Sequence, residues 1–166
     1  MIRRITLDDL DVFRDVRLRA LRDSPSAFGS TYEAEASRPR DQWLDRVSRS
    51  ATGSERAMFL AYVGDECVGL AGCVEDDLGA DRQLISMWVA PTHRGTDTAK
   101  ALIDAVLTWA EQTGARRVGL WVTRGNDRAK RFYERTGFRV TGDVQPLPSD
   151  PCKEEIRMVR DCGTGG

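Results

Sequence analysis

The stretch that most suggests chemistry is LISMWVAPTHRGTDTAKAL, residues 84–102. An apolar, strand-like run meets Pro91, crosses a short polar loop and enters a helical pattern. The first turn of such a helix carries backbone N–H groups without intrahelical partners, at the positive end of the helix dipole. That makes an anion site, best suited to phosphate or pyrophosphate. Gly95 lets the backbone come close to a ligand, and Arg94 and Lys100 add positive charge. The same residues would also serve an ordinary strand-to-helix turn with solvated charges. Further along, Tyr133 presents a phenol, a group that can donate a proton. Its alternative is packing beside Phe132 on a buried helix face. Glu33 and Glu35 are carboxylates in the loop after the first helix, where solvated loop charge is the plain reading. Cys67, Cys73, Cys152 and Cys162 lack zinc-site spacing, and the single His93 cannot complete one, so no metal is expected.

The segment PTHRGTDTAKAL, residues 91–102, resembles the acyl-CoA loop of the GNAT N-acetyltransferase superfamily, whose pattern is Q/R-x-x-G-x-G/A. A second segment, NDRAKRFYERTGF at 126–138, is similar to that superfamily's later motif, N-x-x-A-x-x-F/L-Y-x-x-x-G-F. A helix and a strand lie between them, and the resemblance extends over essentially the whole chain. The loop departs from the pattern at Asp97, which stands where a second glycine is usual. A carboxylate beside a pyrophosphate is unfavourable unless it points away or caps the helix. His93 replaces the more common Gln, Tyr or Arg.

The resemblance implies direct transfer of the acetyl group of acetyl-CoA to a primary amine of a small molecule or peptide. It implies that Met87, Trp88 and Val89 splay from the strand at 116–122, that the pantetheine fills the gap, and that Met87 and Val89 pair with its amides. The loop Arg94, Gly95, Thr96, Asp97, Thr98, Ala99, Lys100 would cradle the pyrophosphate. Asn126 would reach the pantetheine arm, with Ala129, Phe132 and Tyr133 along the same cofactor, and Tyr133 would be the acid to the coenzyme thiolate. The base is less legible. The position where many relatives carry Glu is Gln83, which cannot take a proton, so Glu33 in the segment bordering the acceptor site is the candidate catalytic carboxylate, with Glu35, Ser86 and Glu75 behind it. Phe28, Tyr32, Glu33 and Trp121 are the expected acceptor-binding residues, each aromatic having core packing as its alternative.

The elements that must position these residues follow from periodicity. Ile2 and Ile5 mark a first strand. Leu10, Phe13, Val16, Ala20 and Leu21 give a helix ended by Ser24-Pro25. The segment 24–39 reads as a long loop before a helix opened by Pro39. MFLAYV and CVGLAGCV flank a hairpin turn, and LISMWV follows a polar turn at 75–82. Ala99, Leu102, Ile103, Val106, Leu107 and Ala110 form the most regular helix, and RRVGLWV is a strand. A helix capped by Asn126-Asp127 comes next, then FRVTG and EEIRMVR as two strands around a proline-containing loop, PLPSDPCK. The expectation is a single α/β domain, residues 1–162, with a mixed, mostly antiparallel central sheet of about 6–7 strands flanked by about four helices, and a disordered tail at 163–166.

Composition narrows the function classes. Apolar residues are 40% and charged residues 31% of 166, an ordinary globular balance. Lys and Arg number 25 against 26 Asp and Glu, which argues against nucleic acid as partner. No apolar run approaches the roughly 18–20 residues of a membrane span, and acidic residues precede any signal-peptide core, so a cytoplasmic protein is expected. A homodimer stays open. A reading from another class, a non-catalytic acyl-CoA-binding or degenerate GNAT-fold protein, draws on Asp97, Gln83 and the missing base. A nucleotide-binding protein of another kind would need a P-loop or dinucleotide fingerprint, and neither is present.

Overall fold

The computed structural model describes residues 1–77 and 80–163. Leu78 and Gly79, in the polar turn expected after CVGLAGCV, lie outside the described residues, as does the expected tail beyond Gly163. The described elements run β1 (Ile2–Arg4), α1 (Leu10–Asp23), α2 (Tyr32–Ala36), α3 (Arg40–Ala51), β2 (Ala57–Val63), β3 (Glu66–Glu75), β4 (Arg82–Val89), α4 (Thr98–Gln112), β5 (Arg117–Thr123), α5 (Asp127–Arg135), β6 (Arg139–Leu147) and β7 (Asp150–Asp161). The strands form one sheet in the order β1-β2-β3-β4-β5-β7-β6. Every neighbouring pair is antiparallel except β4 and β5, which run parallel because α4 carries the chain across between them.

The sheet has two differently used faces. Val89 turns to the side of α4, where Leu102 and Val89 crowd Gly69. Trp88 turns to the side of α1, donating its indole N–H to Asp23 at the end of that helix. Along α4, Leu102, Ile103, Val106, Trp109 and Ala110 form the buried stripe that the spacing predicts. A wholly buried Leu102 is worth about 1.5–3 kcal/mol relative to an exposed one. On the other face, Phe13 of α1 meets Trp43 of α3 edge to face with ring centroids 5.8 Å apart. Among the described residues no helix is long and apolar enough to cross a membrane.

Two segments differ from the sequence reading. The loop at 24–39 contains a short helix, α2, capped by Thr31, whose side chain accepts from the Ala34 N–H. A helix of 5 residues is too short for apolar periodicity to register. The PLPSDPCK loop is largely strand, because β6 continues through Pro146 to Leu147 and β7 begins at Asp150. Pro146 is tolerated there because β6 is the edge of the sheet.

Candidate active site

The parallel seam between β4 and β5 is short. Only Arg82 pairs with Val118 and Gln83 with Gly119; beyond them the two strands part. The cause is local to β4. Leu70 faces Trp88 while Gly72 faces Ile85, so β4 spends three residues where β3 spends two. The extra residue is accommodated at Ser86, which takes a φ of 56°. A left-handed non-glycine residue costs about 1–2 kcal/mol and persists only where its surroundings hold it. Here Arg17 Nη1 donates to Ser86 Oγ at 2.8 Å.

Arg17 is itself fixed. Its Nε and Nη2 donate to Glu35 at 2.8 and 3.0 Å, and Arg46 Nη1 lies 3.4 Å from the same carboxylate. Burial opposes charge on Glu35, yet the Arg17 hydrogen bonds and the flanking guanidinium groups hold its carboxyl below the ordinary glutamate range. The same surroundings, burial first, bring Arg46 down to about 10. The Arg17 guanidinium also lies 4.8 Å from the Phe28 ring centroid. Sequence reading passed over Arg17, although the signal was there. It sits on the buried stripe of α1 between Phe13 and Ala20, and a charge on an apolar face implies a buried partner.

The parted strands open into a cleft of about 1090 Å³. Met87, Trp88 and Val89 line it from β4, and Trp121 from β5. Arg94, Gly95, Thr96 and Ala99 line it from the loop and first turn of α4, Asn126, Ala129, Phe132 and Tyr133 from α5, and Phe28 from the segment after α1. Asp97, Thr98 and Lys100 are not among the lining residues, nor are Tyr32 and Glu33. Glu33 is exposed, whereas Glu35 is the buried carboxylate of that segment, because α2 turns the two to different sides. Tyr32 receives a hydrogen bond from Arg22 and stacks with its guanidinium at 4.4 Å.

The loop before α4 has its own internal order. Gly95 takes a φ of +79°, and a Cβ built there meets nothing within 4 Å, so the backbone is open to the cleft. Thr96 Oγ1 donates to the His93 carbonyl at 2.6 Å and accepts from the Thr98 N–H at 3.4 Å. Asp97 occupies the N-cap position but makes no capping hydrogen bond with its side chain. Of the two ways to accommodate this carboxylate, helix capping is therefore not the one used, and Thr96 serves the Thr98 N–H instead. Lys100 pairs along its helix with Asp104 at 2.7 Å. Arg94 donates to the Val89 carbonyl at 3.0 Å and pairs with Asp23. Burial would raise the Asp23 carboxyl, but Trp88, Ser24 and Arg94 together hold it below its ordinary value.

On α5, Asn126 caps the helix by accepting from the Ala129 N–H at 3.2 Å. Tyr133 packs between Phe132 and Phe138 at centroid distances of 5.5 and 5.8 Å. Burial pushes its phenol well above the ordinary tyrosine range. Among the further polar residues that line the cleft and that the motifs do not point to are Arg128 and Glu155.

An acetyl thioester on a pantetheine arm fits these residues. The gap beyond Gln83 and Gly119 leaves β4 unpaired on its β5 side, and Gly95 leaves open space beside its backbone.

Comparison with known proteins agrees with this architecture. An uncharacterized N-acetyltransferase of Mycobacterium tuberculosis is 37% identical over 97 residues; the match spans 58% of this chain and 62% of that protein's length. An uncharacterized N-acetyltransferase of Archaeoglobus fulgidus is 28% identical over 148 residues, 83% of this chain and 92% of the relative. Among solved structures, yncA from Salmonella typhimurium, determined with its cofactor acetyl-CoA, superposes with a TM-score of 0.78 at 15% identity, covering 100% of this chain and 95% of that one. Spermidine N-acetyltransferase from Vibrio cholerae, in complex with CoA and spermine, superposes with a TM-score of 0.75 at 17% identity, covering 97% and 94%. The family model described as acetyltransferase (GNAT) family matches residues 18–138, from within α1 to the residue before β6, and the chain belongs to that family.

Proposed function

We propose that this chain is an acetyl-CoA-dependent N-acetyltransferase that acetylates a primary amine of a small molecule or peptide. The observation that carries the reading is the parting of β4 from β5 after two residue pairs, with Gly95 and Tyr133 both lining the gap. Acetyl-CoA, when bound, supplies an activated acetyl thioester. Met87 and Val89 offer backbone groups to the pantetheine amides, and Gly95 with the first turn of α4 offers N–H groups to the pyrophosphate. Asn126, Ala129 and Phe132 border the arm, and Arg128 adds a positive charge on the cleft wall. Tyr133, whose phenol borders the cleft on α5, is the proton donor to the departing sulfur. Trp121 and Phe28 flank the acceptor. The Vibrio cholerae neighbour holds spermine, which supports a small-molecule amine as one acceptor class. A cytoplasmic setting would keep the four free cysteines reduced.

One observation favours a non-catalytic acyl-CoA binder instead. The loop's own cation, Arg94, is held by Asp23, while the Asp97 carboxylate stands uncapped at the start of α4. Two measurements separate the readings. Thermal-shift titration with acetyl-CoA and CoA reports binding, since a ligand of the folded state raises the melting temperature by mass action. Thiol release from acetyl-CoA over a panel of primary amines reports transfer. Stabilisation with amine-dependent thiol release supports the enzyme; stabilisation without release favours the binder.

A further inference from the structure

Register puts Glu155 of β7 opposite Thr123, the last residue of β5, and Arg157 opposite Trp121. Gln145 of the edge strand β6 also faces Glu155. Cross-strand partners share a face, so Trp121, Thr123, Gln145, Glu155 and Arg157 look to one side of the sheet. That side is the one α1 covers, because Gly119, Gln83 and Val74 connect this face through β4 to β3. Glu155 thus lines the cleft on the wall away from α4, at the open end of the seam. It is 8% exposed. Among the described residues no ion pair holds it, and its side chain accepts one hydrogen bond, from Gln145 Nε2 at 2.5 Å.

We propose that Glu155 is the group that takes the proton from the acceptor amine, an inference that rests on the acetyltransferase reading above. The other carboxylates near the cleft are paired, exposed or outside it, with Asp77 among the exposed. Glu35 is clasped by Arg17 and approached by Arg46. Asp76 is paired with Arg157 at 2.6 Å. The Glu75 side chain is 70% exposed. Glu33 lies outside the cleft. Burial lifts the Glu155 carboxyl above the ordinary glutamate value, against the smaller lowering effect of Gln145. That moves it toward the range in which a carboxylate takes a proton and releases it again. The charged groups about it are Arg157 on its own strand, already on Asp76; Asp77 beyond β3; Arg128 on α5; and, across the cleft, Arg17 and Arg46.

The acceptor arrives as an ammonium ion. Glu155 takes one of its protons and later returns it to solvent. The freed nitrogen lone pair forms a bond to the acetyl carbonyl carbon while the carbon–sulfur bond breaks, its electron pair leaving with sulfur. Tyr133 gives its proton to that sulfur and recovers one from the acylated nitrogen, so the products are an amide and a thiol.

The experiment compares the full chain with Glu155→Gln and Glu155→Asp, using acetyl-CoA with spermidine, with an alanine-first peptide, and with hydroxylamine, which is already neutral at neutral pH. We expect Glu155→Gln to bind acetyl-CoA with the thermal shift of the parent. Its kcat/KM should fall about 100-fold or more with the two ammonium acceptors but less than about 10-fold with hydroxylamine. The acid-side limb of its pH profile should disappear, and Glu155→Asp should restore part of the rate. Equal rates for parent and Glu155→Gln, an unmoved limb, or an equal loss with hydroxylamine overturns the role. If the parent binds acetyl-CoA and acetylates none of the three, the role also falls. If it does not bind acetyl-CoA, the acetyltransferase reading fails first.

Discussion

Arg157 lays its guanidinium where Gly119 has no side chain. A Cβ built on Gly119 would come within 3.0 Å of Arg157 Nη2, Cζ and Nε. From that place Arg157 reaches Asp76, with both side chains almost wholly buried, and its guanidinium lies 5.4 Å from the Trp121 ring centroid. Gly119 is also one half of the last pair before β4 and β5 part. The guanidinium therefore lies over the last paired residue of the seam, between Asp76 and Trp121.

Gly119→Ala should destabilise the fold by about 1–3 kcal/mol, the usual range for overpacking. Because the added methyl meets a side chain that must leave its ion pair to make room, the larger end of that range is expected. Urea unfolding of Gly119→Ala, Arg157→Met and the double variant checks it: the double variant should lose clearly less than the sum of the singles.

Tyr133→Phe should leave stability and acetyl-CoA binding close to the parent's, since the ring keeps its contacts with Phe132 and Phe138. Its kcat should drop by about 10²–10⁴. Because the phenol sits above its ordinary range, it stays protonated throughout neutral pH, so the parent should show no loss of rate from its titration there. Steady-state kinetics against pH on both proteins decides this.

Asp97→Asn should tighten acetyl-CoA binding by a few-fold at low salt. The carboxylate stands at the positive end of α4 without capping it, so it opposes an incoming anion by about 0.3–1 kcal/mol. The gain should shrink as salt is added. Calorimetric titration at two ionic strengths measures it.

Acid should uncover the clasp on Asp9. Arg3 donates to both of its oxygens at 2.7 Å, and the Thr6 N–H donates at 2.7 Å. Chiefly through Arg3, the carboxyl falls from 3.8 to about 2. A carboxyl depressed by folding adds stability that is full above its unfolded pKa and is lost as pH falls through the folded one. The stability difference between the parent and Asp9→Asn should therefore hold down to about pH 4 and shrink toward pH 2, as urea midpoints across that range would record.

The strong periodicities were legible. The stripes of α1 and α4 and the apolar runs of the hairpin strands dictate the order of elements, and the two motifs point to the cleft that Gly95 and Tyr133 line. What escaped depends on register and on short local structure. Glu155 stands at the start of the expected strand EEIRMVR, where the letters do not say which face it takes, and only its pairing with Thr123 and Gln145 turns it inward. Glu33 and Glu35 are equivalent as letters in a loop; a five-residue helix decides which is buried. Arg94 had the right charge for a phosphate, but its partner Asp23 is 71 residues away and no local pattern ties them together.

The short seam also bears on how the molecule coheres. β1 to β4 form one continuous antiparallel ladder and β5, β7 and β6 another, with two residue pairs between them. On the proposed function, the coenzyme arm lies in the remaining gap as a guest strand, adding to β4 where β5 does not. The sheet is then whole only while loaded. A molecule that the protein must release in every turnover serves, between releases, as part of its framework.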